Sequence, residues 1–341
     1  MTIFRTRAPA IQAHAEPDLS RPRVPAADAD SGLPTTRARV AVACGVALAA
    51  GAIAVVRTRV DLGGIVNDLG YFVAAGKALL DGENPYRVGM YIYPLPAAVA
   101  AAPFSVLPFA WSAVLFIGLS MGFSAFALTR EGYHRLPILM SFPALTAMTA
   151  GQWAPLILCA AFGSGWGWVA AIKPTLGGAM LVRRVDWRGA LLAAACATLT
   201  LIIDPRWPVE WVRAMIQFAG VKMHHIPVLV PGGALLLLAA IRWRTESGRL
   251  LLAMAVIPQS MFFYDQLALG LLAQTFRQSL VAALWSYAVA AIAYLCAPSG
   301  LDTLPQNAAY LSRIIVWGYY LPALAWVLWT GRRRPVIRSG L

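Results

Sequence analysis

Three ionisable residues stand in surroundings that make charge expensive. Lys173 is the only charged residue between Arg135 and Arg183, and Asp265 is the only one between Arg249 and Arg277. A charge at mid-depth in a bilayer costs at least about 2.5–3.5 kcal/mol, so such residues mark candidate sites. The competing readings are a snorkelling side chain at the interface or a structural ion pair. Asp68 is the third. Read as a helix, 68–80 places Asp68, Tyr71, Phe72, Ala75 and Leu79 on one face. A carboxylate on an aromatic face is partly desolvated, which raises its pKa and suits it to proton abstraction. Asp at a helix start can equally be a plain N-cap. His224 and His225 lie near Lys222, Trp207, Trp211 and Phe218, in a segment that reads as a helix at the membrane surface. Alone they are more often ordinary loop histidines than catalytic ones.

The elements that must position these groups are apolar helices. Of 341 residues, 59% are hydrophobic and 13% charged. Soluble domains carry roughly 25% charged residues, so this chain cannot coat a water-facing surface. The net charge of +13 lies in arginine clusters between apolar runs: Arg37 and Arg39, Arg130 and Arg135, Arg183 to Arg188, Arg242 to Arg249, and Arg332 to Arg334. This is the pattern of cytoplasmic loops, and it offers no basic face to follow phosphates, so nucleic acid is excluded as a partner. The expected fold is all-α: a polytopic transmembrane helix bundle of about ten to twelve membrane segments with external loop helices. Residues 1–36 read as a disordered cytoplasmic tail, 37–331 as the membrane domain and 332–341 as a basic cytoplasmic tail. Both termini are expected inside, with the segments 59–91 and 204–227 outside.

Spans are expected at 40–57, 109–129, 189–203, 228–241, 250–264, 266–276, 279–297 and 310–330. Pro94, Pro96, Pro103 and Pro108 interrupt the uncharged run before 109 and predict a short embedded helix. Gly151-Gln152, Gly163-Ser164-Gly165 and Lys173-Pro174 predict broken helices, tolerated at membrane depth only where protein or a wet cavity satisfies the backbone. Cys44, Cys159, Cys196 and Cys296 are isolated in apolar stretches and form neither a zinc motif nor a disulfide framework. No acidic pair suits a divalent ion; no metal and no cofactor are expected.

Taken in order, the motifs resemble a known family. Asp68-Leu69-Gly70-Tyr71, Gly82-Glu83-Asn84-Pro85-Tyr86 and Tyr91-Ile92-Tyr93-Pro94-Leu95-Pro96 are similar to the first external loop of glycosyltransferase family 87. These are polyprenyl-phosphate-mannose-dependent enzymes of the GT-C fold. Gly151-Gln152, Lys173-Pro174 with Arg183-Arg184, and Pro258 through Tyr264-Asp265-Gln266 resemble later motifs, so the likeness runs over residues 60–280. It implies inverting transfer of a mannosyl-type hexose from a polyprenyl-phosphate donor to a lipid or glycan acceptor on the non-cytoplasmic face. Asp68 would be the general base, with Asp61 the competing acid. Lys173 would hold the phosphate, with His224, His225, Lys222 and Gln152 as further candidates. Tyr71, Tyr86, Tyr93, Tyr264 and Asp265 would line the substrate. The plasma membrane of a bacterium is the expected location. Two alternatives stay open: a transporter or flippase using Lys173 and Asp265 as a translocation pair, and a non-catalytic accessory subunit. The single Leu95 between Pro94 and Pro96 and the short segment 163–183 motivate the latter.

Overall fold

The computed structural model describes residues 33–59, 68–219, 224–301 and 303–330. Residues 1–32 of the expected tail 1–36, all of the expected tail 332–341, and Asp61 and Lys222 lie outside these residues. The fold is all-α apart from one two-residue ladder. In chain order the α-helices are α1 (Thr36–Arg59), α2 (Asp68–Leu80), α3 (Leu95–Ser105), α4 (Phe109–Leu128), α5 (Phe142–Ala150), α6 (Ala154–Ile157), α7 (Pro174–Arg184), α8 (Trp187–Leu199), α9 (Trp207–Ala219), α10 (Glu246–Val256), α11 (Phe276–Leu295), α12 (Leu304–Ile315) and α13 (Leu321–Thr330). Two strands, β1 (His224–His225) and β2 (Gln259–Ser260), pair antiparallel.

Four helical stretches among the described residues are long and apolar enough to cross a membrane: Thr36–Arg57, Phe109–Glu131, Phe276–Leu295 and Leu304–Thr330. A fifth arises if the pair Trp187–Ile202 and Trp207–Phe218, bent by 102°, counts as one broken span. The other apolar runs fold as shorter pieces. Expected spans at 228–241 and 266–276 are 3₁₀ segments, Gly233–Arg242 and Tyr264–Leu272, and the one expected at 250–264 is α10 with a turn after it. Runs of 3₁₀ beyond three or four residues are uncommon, because the tighter winding misaligns the hydrogen bonds. Tyr264–Leu272 is almost wholly buried, whereas Gly233–Arg242 buries only Gly233, Leu236 and Ala239 and leaves Leu235, Leu237, Leu238 and Ile241 exposed. The α12–α13 stretch is continuous through a wide turn at Val316–Tyr320, the kind of bulge that shifts helix register.

Local chemistry fixes the breaks. Pro174 opens α7 at a position where its missing N–H is harmless. Gly151 ends α5 in the left-handed region at φ +69°. Thr245 caps α10, and Thr275 with Gln278 forms a reciprocal capping box on α11. Gly76 lets α2 lie on α3: a Cβ there would come within 2.8 Å of the backbone nitrogen of Ala102. The core between them holds Phe72, Phe116 and Trp153, all almost fully buried and in ring contact.

Several inner elements run between two chemically distinct ends. α7 begins after Lys173 and finishes at Arg183 and Arg184; α10 begins at Glu246, which pairs with both arginines, and finishes near β2. The segment Tyr264–Leu272 leaves Asp265 and arrives at Ala273, whose carbonyl accepts from Arg135 Nε at 3.2 Å. One end is thus rich in arginine. Glu131 joins Arg135 and Arg184 there, and Arg135 and Arg183 both approach the Phe162 ring. The other end holds Asp68, Lys173 and Asp265.

Candidate active site

The lone ammonium and a lone carboxylate meet. Lys173 Nζ lies 2.5 Å from Asp265 Oδ1, with both side chains buried, and 5.0 Å from the centre of the Tyr264 ring. The second Asp265 oxygen accepts from the backbone N–H of Ser260 at 2.9 Å. Phe263, just before, has φ +66° and is fully buried. A bulky residue in the left-handed region costs roughly 1–2 kcal/mol, and packing around the Phe263 ring holds it there. The resulting turn carries Tyr264 and Asp265 into the site.

Asp68 sits at the first residue of α2, half-buried. Its Oδ2 accepts a hydrogen bond from Gln152 Nε2. Gln152 Oε1 in turn accepts from the Tyr93 hydroxyl at 3.1 Å. Tyr93 packs edge-on against Phe72, at 4.8 Å between ring centres. Gln152 was expected to hold a phosphate. Here both ends of its amide are hydrogen-bonded within the protein, to Asp68 and to Tyr93. Gly151 makes this possible, since a Cβ there would come within 2.5 Å of Leu69 Cβ.

Burial pushes the Asp68 carboxyl up to about 6. The Gln152 hydrogen bond and the Lys173 ammonium pull it down, while the Asp265 carboxylate pushes it further up. These mutual influences place Asp68 and the Lys173–Asp265 pair in one electrostatic neighbourhood.

The histidines approach through the short ladder, His224 opposite Ser260 and His225 opposite Gln259. Burial lowers the His225 pKa to about 4, with Asp265 opposing and His224 adding to the shift. Burial also lowers His224, helped by Lys173 and opposed by Asp265. Both rings are therefore neutral at pH 7. Both His225 nitrogens are buried with no hydrogen-bond partner. Buried polar atoms without partners are uncommon in folded proteins, so a neutral imidazole left this way is a natural place for a ligand oxygen.

The remaining tyrosines divide. The Tyr86 hydroxyl is buried and unpartnered, and its ring lies 5.6 Å from Tyr91. Burial raises its pKa, as do Asp204 and Glu210 nearby. The Tyr71 ring lies close to Gly89, where an added Cβ would come within 3.1 Å of it, while the buried side of α2 is built on Leu69, Phe72 and Ala75. The segment Trp207–Ala219 returns to the same end, where Trp211 Nε1 donates to the Ile92 carbonyl at 2.9 Å.

Sequence reasoning quoted Gln266 within a motif but gave no role to Gln259, Ser260, Gln266 or Tyr320. Gln259 Oε1 accepts from Gln266 Nε2 at 2.8 Å and from the Tyr320 hydroxyl at 2.5 Å. The pair Gln259-Ser260, polar and directly after Pro258 in an apolar run, was the available signal. Among the described residues no cluster of three or more His, Cys, Asp or Glu side chains could hold a metal ion. Compared with protein families, with curated proteins and with solved structures, the chain matches none.

Proposed function

We propose that this protein is a membrane glycosyltransferase of the GT-C type, transferring a mannosyl-type hexose from a polyprenyl-phosphate donor to a lipid or glycan hydroxyl. The observation that carries this reading is the grouping of Asp68, held near pKa 6, with a buried cation and a neutral imidazole whose nitrogens are free. The reaction needs little else. Asp68 takes the proton from the acceptor hydroxyl, and the acceptor oxygen bonds to the anomeric carbon from the face opposite the phosphate. The anomeric C–O bond breaks, and polyprenyl phosphate leaves with the electron pair. The configuration inverts. Phosphate is a good leaving group, so activation of the acceptor and stabilisation of the departing charge are the two tasks for the protein.

Lys173 would face the departing phosphate, with Asp265 fixing its position, and His225 would donate one N–H. Tyr86, with its unpartnered hydroxyl, would meet the acceptor. Under the positive-inside rule the arginine-rich end faces the cytoplasm, which puts the site on the external side of a bacterial plasma membrane. Within this reading the shorter apolar pieces complete about ten membrane segments.

The test is sugar transfer from labelled polyprenyl-phosphate-mannose in membranes carrying wild-type or Asp68→Asn protein. The amide keeps the size and the contact with Gln152 but cannot take a proton. Loss of at least about a hundredfold in rate is expected for a missing general base; undiminished transfer rejects Asp68 in that role. The Lys173–Asp265 pair, at the starts of two broken segments, also suits a translocation site. Transfer in detergent, where no gradient exists, separates the two.

A further inference from the structure

One well-formed recess lies away from Asp68. A cavity of about 600 Å³ opens between the segment Tyr264–Leu272, α11 and α13. Leu267, Leu272, Val281, Ala282, Pro322 and Ala323 give it an apolar wall. Val281 and Trp285, both on its lining, are exposed on the outer face of α11, so the recess opens sideways to the surroundings of the bundle. In a bilayer those surroundings are acyl chains.

Its two ends differ. At the site end lies Gln266, next to Asp265, whose Oε1 is buried without a partner. At the other end lies Arg277, in the first turn of α11. That end belongs to the arginine-rich face, because Ala273 beside it receives Arg135. Arg135 pairs there with Glu131, Arg183 with Glu246 and Arg184 with both acids, and Arg277 is the charged residue on the lining of the recess itself. Arg277 is exposed and forms no ion pair or hydrogen bond among the described residues. The α11 N-terminus is closed by its own capping box, so Arg277 is the group left to meet an anion.

We infer that this cavity holds an anionic phospholipid of the cytoplasmic leaflet, its phosphate on Arg277 and one acyl chain running up the apolar wall toward Gln266. The occupant follows from the order of the chemistry: a free cation at the leaflet surface, then an apolar slot open to the bilayer. A donor whose phosphate belongs beside Lys173 would enter from the opposite end. The lipid would brace Tyr264–Leu272, the segment that carries Asp265.

The full-length protein is reconstituted in vesicles of equal parts phosphatidylcholine and phosphatidylglycerol, extracted in mild detergent, and its bound lipid is weighed by native mass spectrometry. Wild-type protein should retain phosphatidylglycerol in preference to phosphatidylcholine. Arg277→Ala should lower that preference about fivefold, the worth of one basic residue at an anionic surface. Arg277→Lys should keep it. Ala282→Trp, which fills the slot, should lose both lipids. Equal retention of the two lipids by wild-type protein, or unchanged phosphatidylglycerol on Arg277→Ala, overturns the inference. Should Ala282→Trp fail to fold, the comparison of Arg277→Ala with Arg277→Lys still decides. Lipid retention is read without any transfer reaction, so its outcome is independent of the proposed activity.

Discussion

Breaking the Lys173–Asp265 pair one side at a time should destabilise the protein far more than removing both charges together. Lys173→Met leaves Asp265 as a buried carboxylate whose remaining partner is the Ser260 N–H. Asp265→Asn keeps that acceptor and leaves the Lys173 ammonium facing the Tyr264 ring alone. Removing one partner of a buried ion pair typically costs about 3–5 kcal/mol, because the survivor stays uncompensated. The Lys173 side chain keeps 11% exposure, against 1% for Asp265, so Asp265→Asn should sit at the low end, near 3 kcal/mol, and Lys173→Met nearer the high end. The double variant Lys173→Met/Asp265→Asn has no buried charge and should lose only about 1 kcal/mol for the broken hydrogen bond. The coupling between the two sites is then several kcal/mol. Thermal melting of purified protein in detergent reads this directly. At about 2 °C per kcal/mol, each single variant should melt about 6–10 °C lower, and the double within about 2 °C of wild type. A double variant that melts at the sum of the two single losses would refute the reasoning, since it would mean that the two charges do not compensate each other.

Three further outcomes follow from the site. Transfer activity should fall tenfold per pH unit below about 6, where Asp68 becomes protonated. Lys173→Met removes an influence that lowers this pKa and should move that limb to higher pH, whereas Asp265→Asn removes one that raises it and should move the limb lower; initial rates across pH measure both shifts. Tyr93→Phe deletes the hydroxyl that fixes the Gln152 amide, so a turned amide can present its oxygen to Asp68 and the limb should shift upward at little cost in stability. Gly151→Ala places a side chain at φ +69° against Leu69 and should cost roughly 1–2 kcal/mol for the left-handed backbone alone. Its activity should fall further than its melting point explains, because the start of α2 is pushed off Gln152.

How much of this was written in the sequence depends on what each residue costs in a membrane. Asp68, Lys173 and Asp265 stood out because charge is expensive there, and two of them form the central pair. The helices at 109–128 and 276–295 were legible because twenty apolar residues exceed what a soluble core absorbs. Neutral polar residues carry no such mark. Gln152 was named as a phosphate candidate through the family likeness alone, and its bond to Asp68 spans 84 residues of chain. Gln259 and Tyr320 meet across 61 residues, and the polar step after Pro258 marks only the first of them. The short pieces were unreadable for a different reason. An apolar run of ten residues has the same hydropathy whether it is half a span, a 3₁₀ segment or an embedded turn, and only packing chooses among them.

The length of those pieces bears on the chemistry. Along α7 from Pro174 to Arg184 there are 11 residues, about 16 Å of helix. The hydrocarbon core is about 30 Å thick. If the arginines reach the cytoplasmic surface, the Lys173–Asp265 pair lies roughly half a membrane above them rather than at the outer surface. A water-soluble donor would have no reason to be received at that depth. A donor anchored by a lipid tail brings its phosphate in from the side, at the level where the tail begins, and must find there a buried cation to replace the water it leaves behind. The same burial that makes Lys173 costly also raises Asp68 into the range where it can take and release a proton near neutral pH. Under the proposed function, depth, base and cation would be one arrangement, set by the three turns of α7.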